Sequence, residues 1–181
     1  SVPQSKIDQW TLEREKLAAM LGEVDREKSE SEMRRIQYLY SEKVEAYLDA
    51  GHGECWLKSR KIATLVADAL NHFNDQRYRL HAWCIMPNHV HVIATPSDPD
   101  GLRRTFRYVH RHYTGYINAR LRVTGHLWQG RFSSVAMDEP HFVTALRYVA
   151  LNPVRARLTA RAEDWDWSSA RALIAGEDDH V

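Results

Sequence analysis

The stretch MPNHVHVIATP, Met86 to Pro96, is where the periodicity of the chain changes. Upstream, apolar residues recur at helical spacing. From Tyr78 onward they crowd into two short β-rich runs, Tyr78 to Met86 and His89 to Thr95, separated by the turn dipeptide Pro87-Asn88. This pattern predicts an antiparallel hairpin. In a strand, residues i and i+2 leave the same face about 7 Å apart. His89 and His91 therefore share one face, and Val90 turns to the core. On the residues alone two readings stand. The imidazoles are satisfied by neighbours on a polar sheet face, or they hold a divalent cation.

Helices are expected on both sides of the hairpin. Pro3 to Leu21 carries Ile7, Trp10, Leu17, Ala18 and Leu21 on one side. A charged segment, Glu23 to Arg35, leads into a second helix through Ile36, Leu39, Tyr40, Val44, Tyr47 and Leu48, ended by Gly51 and Gly53. Ser59 caps a third helix to Phe73, with Ile62, Leu65, Val66, Ala69, Leu70 and Phe73 as its buried stripe. Downstream, Leu102 to Leu121 reads as a long helix and Phe132 to Met137 as a further strand. Pro140 to Leu151 reads as a helix stopped by Asn152-Pro153, and Ser168 to Ala175 as a last short helix. The order predicts an α+β fold, an antiparallel sheet with helices packed on it.

The 181 residues carry a net charge of +1, which conceals a division. Residues 101–161 hold eleven arginines, no lysine and two acids, Asp138 and Glu139, a balance of +9; the remainder is −8. Arginine binds phosphate with a planar fork and stacks on bases, so the block points to a nucleic-acid partner. Arg104, Arg107, Arg111, Gln129 and Arg131 are the residues expected to face that partner. Two cysteines, no apolar run of membrane length and a polar N-terminal stretch fit a reducing cytoplasm without a membrane partner.

A second His-x-His, His110 and His112, falls in a helical stretch. There i and i+2 point about 200° apart, so the two cannot share a ligand. Tyr148 and Asn152 are i and i+4 on the expected helix 140–151 and lie on one face. A phenol and an amide oxygen presented together can reach a metal on a nearby sheet. The alternative is a core tyrosine beside a helix-ending Asn-Pro.

Taken together, MPNHVHVIATP, LWQGRF, RYVALNPVRARL and DWDWSSA resemble the REP-associated tyrosine transposases, part of the single-tyrosine HUH transposase superfamily and related to IS200-like elements. The likeness covers most of residues 44–171. It implies that the sheet carries the HUH histidines, His89 and His91, which hold Mg²⁺ or Mn²⁺ together with Asn152. It implies that Tyr148 attacks a phosphate of single-stranded DNA, giving a 5′-phosphotyrosine link at palindromic hairpins. Residues 59–181 would be the nuclease core and 1–58 a helical N-terminal extension. Family members usually carry a strand ahead of the first helix, and Ser1-Val2-Pro3 is expected to lie just past it. A monomer is the expected state, a dimer with shared sites the other. The competing function is a non-catalytic DNA-hairpin-binding protein that keeps the fold. A metal-dependent hydrolase fits less well, because activating water normally takes a carboxylate base and the arginine block is nearly devoid of acids.

Overall fold

The computed structural model describes residues 3–21, 43–52, 55–125 and 134–177. They fall into two compact units, one within Ser1–Glu54 with Ser133–Val135, the other within Cys55–Phe132 with Ala136–Val181.

In the first unit, α1 spans Gln4–Leu21 and α2 residues 43–49. Trp10 meets Tyr47 edge-on at 5.8 Å, Lys6 lies over both rings, and Lys43 pairs with Glu13 at 2.8 Å. Of the second helix expected from sequence, Ile36, Leu39 and Tyr40 lie outside the described residues.

The second unit is built on the expected hairpin. β1 (Tyr78–Ile85) and β2 (Val90–Pro96) pair antiparallel, Ile85 with Val90 and Cys84 with His91, with an irregularity between Leu80 and Ala82. The Met86 amide donates to the His89 carbonyl at 2.9 Å and closes the Pro87-Asn88 turn. The turn is anchored from outside, since the Leu57 amide donates to the Pro87 carbonyl at 3.1 Å. Along the other edge of β1 runs the segment 165–169. Ile85 donates to the Trp167 carbonyl, Ser169 to the Trp83 carbonyl, and the Trp165 indole to the Ile85 carbonyl. β1 is thus bonded along both edges, which holds the hairpin rigidly.

Alternation along the strands sorts the helices onto two faces. Trp83 and Ile85, with Val90 and Val92, pack against α3 (Arg60–His72) and α4 (Gly101–Leu121) through Ile62, Val66, Leu70, Tyr113 and Ile117. Ala82, Cys84, Met86 and Ile93 pack against α5 (Glu139–Arg155) through Val149, Leu146 and Tyr148. His91, opposite Cys84, is on the α5 face. The start of α4 fits closely: a Cβ on Gly101 would overlap the Arg77 carbonyl oxygen. A short helix, α6 (Ala170–Ala175), follows.

Four details depart from the sequence reading. The buried face of α3 is Ile62, Ala63, Val66, Ala67 and Leu70, and Leu65 is exposed. Ser59 is the N-cap of α3 by position, but its side chain makes no capping bond. Residues 134–138 form no strand, while Phe132 lies outside the described residues.

The fourth bears on the site. α5 does not stop at Asn152-Pro153 but runs to Arg155, with Pro153 inside it. Its start is ordinary: Asp138 accepts from the His141 amide at 2.9 Å and Pro140 sits in the first turn. Proline is tolerated near the far end because the helix closes one turn later on other bonds. Leu158 donates to the Pro153 carbonyl at 2.9 Å and Arg157 to the Val154 carbonyl at 3.0 Å, with Arg157 at φ 57°. This is the six-to-one and five-to-two pairing of a Schellman closure.

Candidate active site

Three side chains expected to share one cation, His89, His91 and Asn152, come together where the start of β2 meets α5. His89 Nε2 lies 2.9 Å from His91 Nε2, and the amide nitrogen of Asn152 lies 2.9 Å from the same His91 atom. The imidazoles stand at 89° to each other. Two donors at right angles on an ion with bonds of about 2.1 Å would be about 3.0 Å apart, so this spacing suits adjacent ligands of one cation. A second observation agrees. Asn152 is 1% exposed, yet its Oδ1 is buried without a hydrogen-bond partner among the described residues. Amide oxygen and nitrogen are nearly equivalent in shape, and a half-turn of the amide brings Oδ1 to the place facing His91. A buried orphan acceptor costs about 1–3 kcal/mol, and a bound cation would remove that cost. Two imidazoles and a carbonyl oxygen form a mixed donor set of moderate softness, which a divalent cation can accept.

His89 is oriented from behind by a residue that the sequence reading did not single out. Asn88 Oδ1 lies 2.8 Å from His89 Nδ1. A proton on Nδ1 donates there, and that tautomer leaves Nε2 as the lone-pair nitrogen. The signal was an amide side chain directly before the first histidine.

Tyr148 flanks the group. Its ring meets His91 edge-on at 5.5 Å, and the Arg155 guanidinium lies over it, 4.4 Å from the centroid. The tyrosine is half-buried, and its backbone sits on the rigid face of α5 that packs on the sheet. The other histidine pair behaves as helical geometry requires. His110 lies beside Phe106, and burial holds its pKa below the usual histidine value. His112 stacks on Tyr108 at 3.9 Å, and its Nδ1 lies 3.0 Å from that residue's carbonyl oxygen. A further sheet histidine, His81, is held by Thr95 at 2.8 Å, and burial, with the Arg79 charge, lowers its pKa.

The arginines expected to face DNA differ in their surroundings. Arg104 is paired with Asp98 at 2.5 Å and the neighbouring Arg103 with Asp100 at 3.0 Å. Arg107 and Arg111, one turn apart on α4, are exposed and have no carboxylate partner among the described residues. Gln129 and Arg131 lie outside the described residues. Asp98 and Asp100 stand just before the arginine block, so counting charge from residue 101 overstates the free positive charge.

The IS200-like transposase family model matches residues 58–152, just over half of the chain. The chain belongs to this family. It is 27% identical over 106 residues to the REP-associated tyrosine transposase of Escherichia coli (strain K12), an alignment covering 56% of this chain and 59% of that relative. The chain thus spans less than two thirds of the relative's length. Among solved structures, it resembles a REP-associated tyrosine transposase bound to a REP hairpin. The TM-score is 0.55 at 19% identity, over 71% of this chain and 77% of that one, which supports the α+β fold.

Proposed function

We propose that the chain is a single-strand DNA endonuclease and strand transferase that uses Tyr148 as nucleophile at hairpin-forming sites. The observation that carries this reading is the convergence of His89, His91 and Asn152 beside the Tyr148 ring. Family membership and the hairpin-bound relative support it. His89, His91 and Asn152 would hold Mg²⁺ or Mn²⁺, which, bound there, withdraws charge from the phosphate oxygens.

The residues then divide the work. Tyr148 Oη attacks phosphorus, the bond from phosphorus to the 3′-oxygen breaks, and the phenol proton is balanced by one taken up at the freed 3′-hydroxyl. The 5′-phosphate stays esterified to Tyr148. One phosphodiester replaces another, so no nucleotide hydrolysis is needed to rejoin a strand. A free phenol near pKa 10 is a weak nucleophile, so its fixed place beside the charge-stabilising group matters more than its basicity. Arg107 and Arg111, with Arg104, Gln129 and Arg131, would bind the DNA backbone. The histidine strand and the tyrosine helix meet within one chain, which supports a site completed by a single copy. Residues 59–181 would form the nuclease core and 1–58 its helical extension.

Incubation of the protein with a labelled single-stranded hairpin and Mn²⁺ tests this on a denaturing gel. The expected result is a slow-migrating protein–DNA adduct with the wild type and none with Tyr148→Phe. Hairpin binding without any adduct would support the non-catalytic binding protein instead.

A further inference from the structure

Arg155 is part of the arginine block but lies three residues beyond the family match. Because α5 continues through Pro153, Tyr148, Asn152 and Arg155 stand at i, i+4 and i+7 on one helix face. Side chains on a helix lean toward its N-terminus, so Arg155 reaches back over the Asn152 turn. Its guanidinium is 4.4 Å from the Tyr148 centroid, while His91 meets the same ring edge-on at 5.5 Å. Arg155 is exposed and has no carboxylate partner among the described residues, unlike Arg103, Arg104 and Arg161, which pair with Asp100, Asp98 and Glu163. At an exposed position a cation–π contact contributes only about 0.5–1 kcal/mol, too little to make this arginine important for folding.

From this geometry we infer that Arg155 is the positioning residue of the tyrosine: it pins the Tyr148 ring against His91 and presents its N–H donors to the phosphate that the phenol attacks. A guanidinium stacked on a ring keeps its donors in its own plane, free for phosphate oxygens. One rigid helix would thus carry the nucleophile, one cation ligand and the phosphate clamp, with the Schellman closure at Arg157 and Leu158 fixing the last of them. A lysine cannot do both tasks, since an ammonium lacks the planar face and the fork.

The inference rests on the proposed role of Tyr148, and the experiment separates the two. Single-turnover adduct formation at saturating hairpin DNA and Mn²⁺ is compared with hairpin affinity for wild type, Arg155→Met and Arg155→Lys. Both variants should melt within about 4 °C of the wild type. Misplacement of a reacting group by about 1 Å costs on the order of 100-fold, so both variants should lose about 10- to 100-fold in rate, with affinity within about threefold of wild type. A wild-type rate in Arg155→Met, full recovery in Arg155→Lys, or an affinity loss as large as the rate loss would overturn the inference while leaving Tyr148 as nucleophile. Absence of any wild-type adduct would overturn both.

Discussion

Asn152 is nearly inaccessible, its amide touches His91, and its oxygen has no protein partner among the described residues. A buried polar group left in this state is expensive to keep for folding alone. Asn152→Ala should therefore change the melting temperature of the metal-free protein little, within the equivalent of about 1 kcal/mol, because one contact is lost while one orphan is removed. The same substitution should abolish the rise in melting temperature that Mn²⁺ gives the wild type, a rise that follows from binding to the folded state alone. Thermal melts with and without Mn²⁺ check both halves. A Mn²⁺ shift of wild-type size in the variant would exclude Asn152 as a ligand. His89 and His91 were legible from a period of two across a Pro-Asn turn. Asn88 was not singled out, because an amide in a turn has an ordinary explanation in turn propensity.

At the scale of elements, the join between α3 and β1 makes a separate prediction. The Tyr78 hydroxyl donates to the Leu70 carbonyl at 2.5 Å, in the last turn of α3, where helix carbonyls run out of amide partners. Burial raises the Tyr78 pKa to about 12. The folded chain keeps this proton longer than the unfolded one, so stability falls as pH rises from about 10 toward 12. Tyr113, also buried, has the same shift and adds to the fall. Tyr78→Phe should cost about 1–3 kcal/mol at neutral pH and flatten the alkaline decline. Urea midpoints measured across that pH range test this, and an undiminished alkaline slope in Tyr78→Phe would refute it. The hairpin, α3, α4 and the start of α5 were readable because apolar period and breaker residues agreed. The end of α5 was not. Asn-Pro is a strong stop signal in isolation, but Pro153 loses only one amide so close to the terminus and the Schellman bonds supply the closure. The i+7 relation of Arg155 to Tyr148 exists only because the helix continues past Pro153.

For the molecule as a whole, the arginine block marks the side that should meet DNA, but not all of its charge is available. Arg107→Ala and Arg111→Ala should each lower the magnitude of the salt slope of hairpin binding by about one. Arg104→Ala should lower it less, because Asp98 already neutralises that arginine. Binding titrations over a range of salt concentrations decide this, and equal slopes for all three variants would remove the distinction. Sequence marked the basic block, while the paired carboxylates emerged only when α4 was placed after the 97–100 turn. No helix among the described residues is long and apolar enough to cross a membrane. In the proposed reaction Tyr148 itself forms the bond to DNA. Trypsin cutting after Arg147 and Arg155 releases Tyr148 to Arg155 as one peptide, YVALNPVR. Mass spectrometry of the Mn²⁺-dependent adduct, digested with trypsin and nuclease, should find that peptide carrying a 5′-linked nucleotide on Tyr148; a nucleotide on any other residue, or an adduct that survives Tyr148→Phe, would contradict the claim.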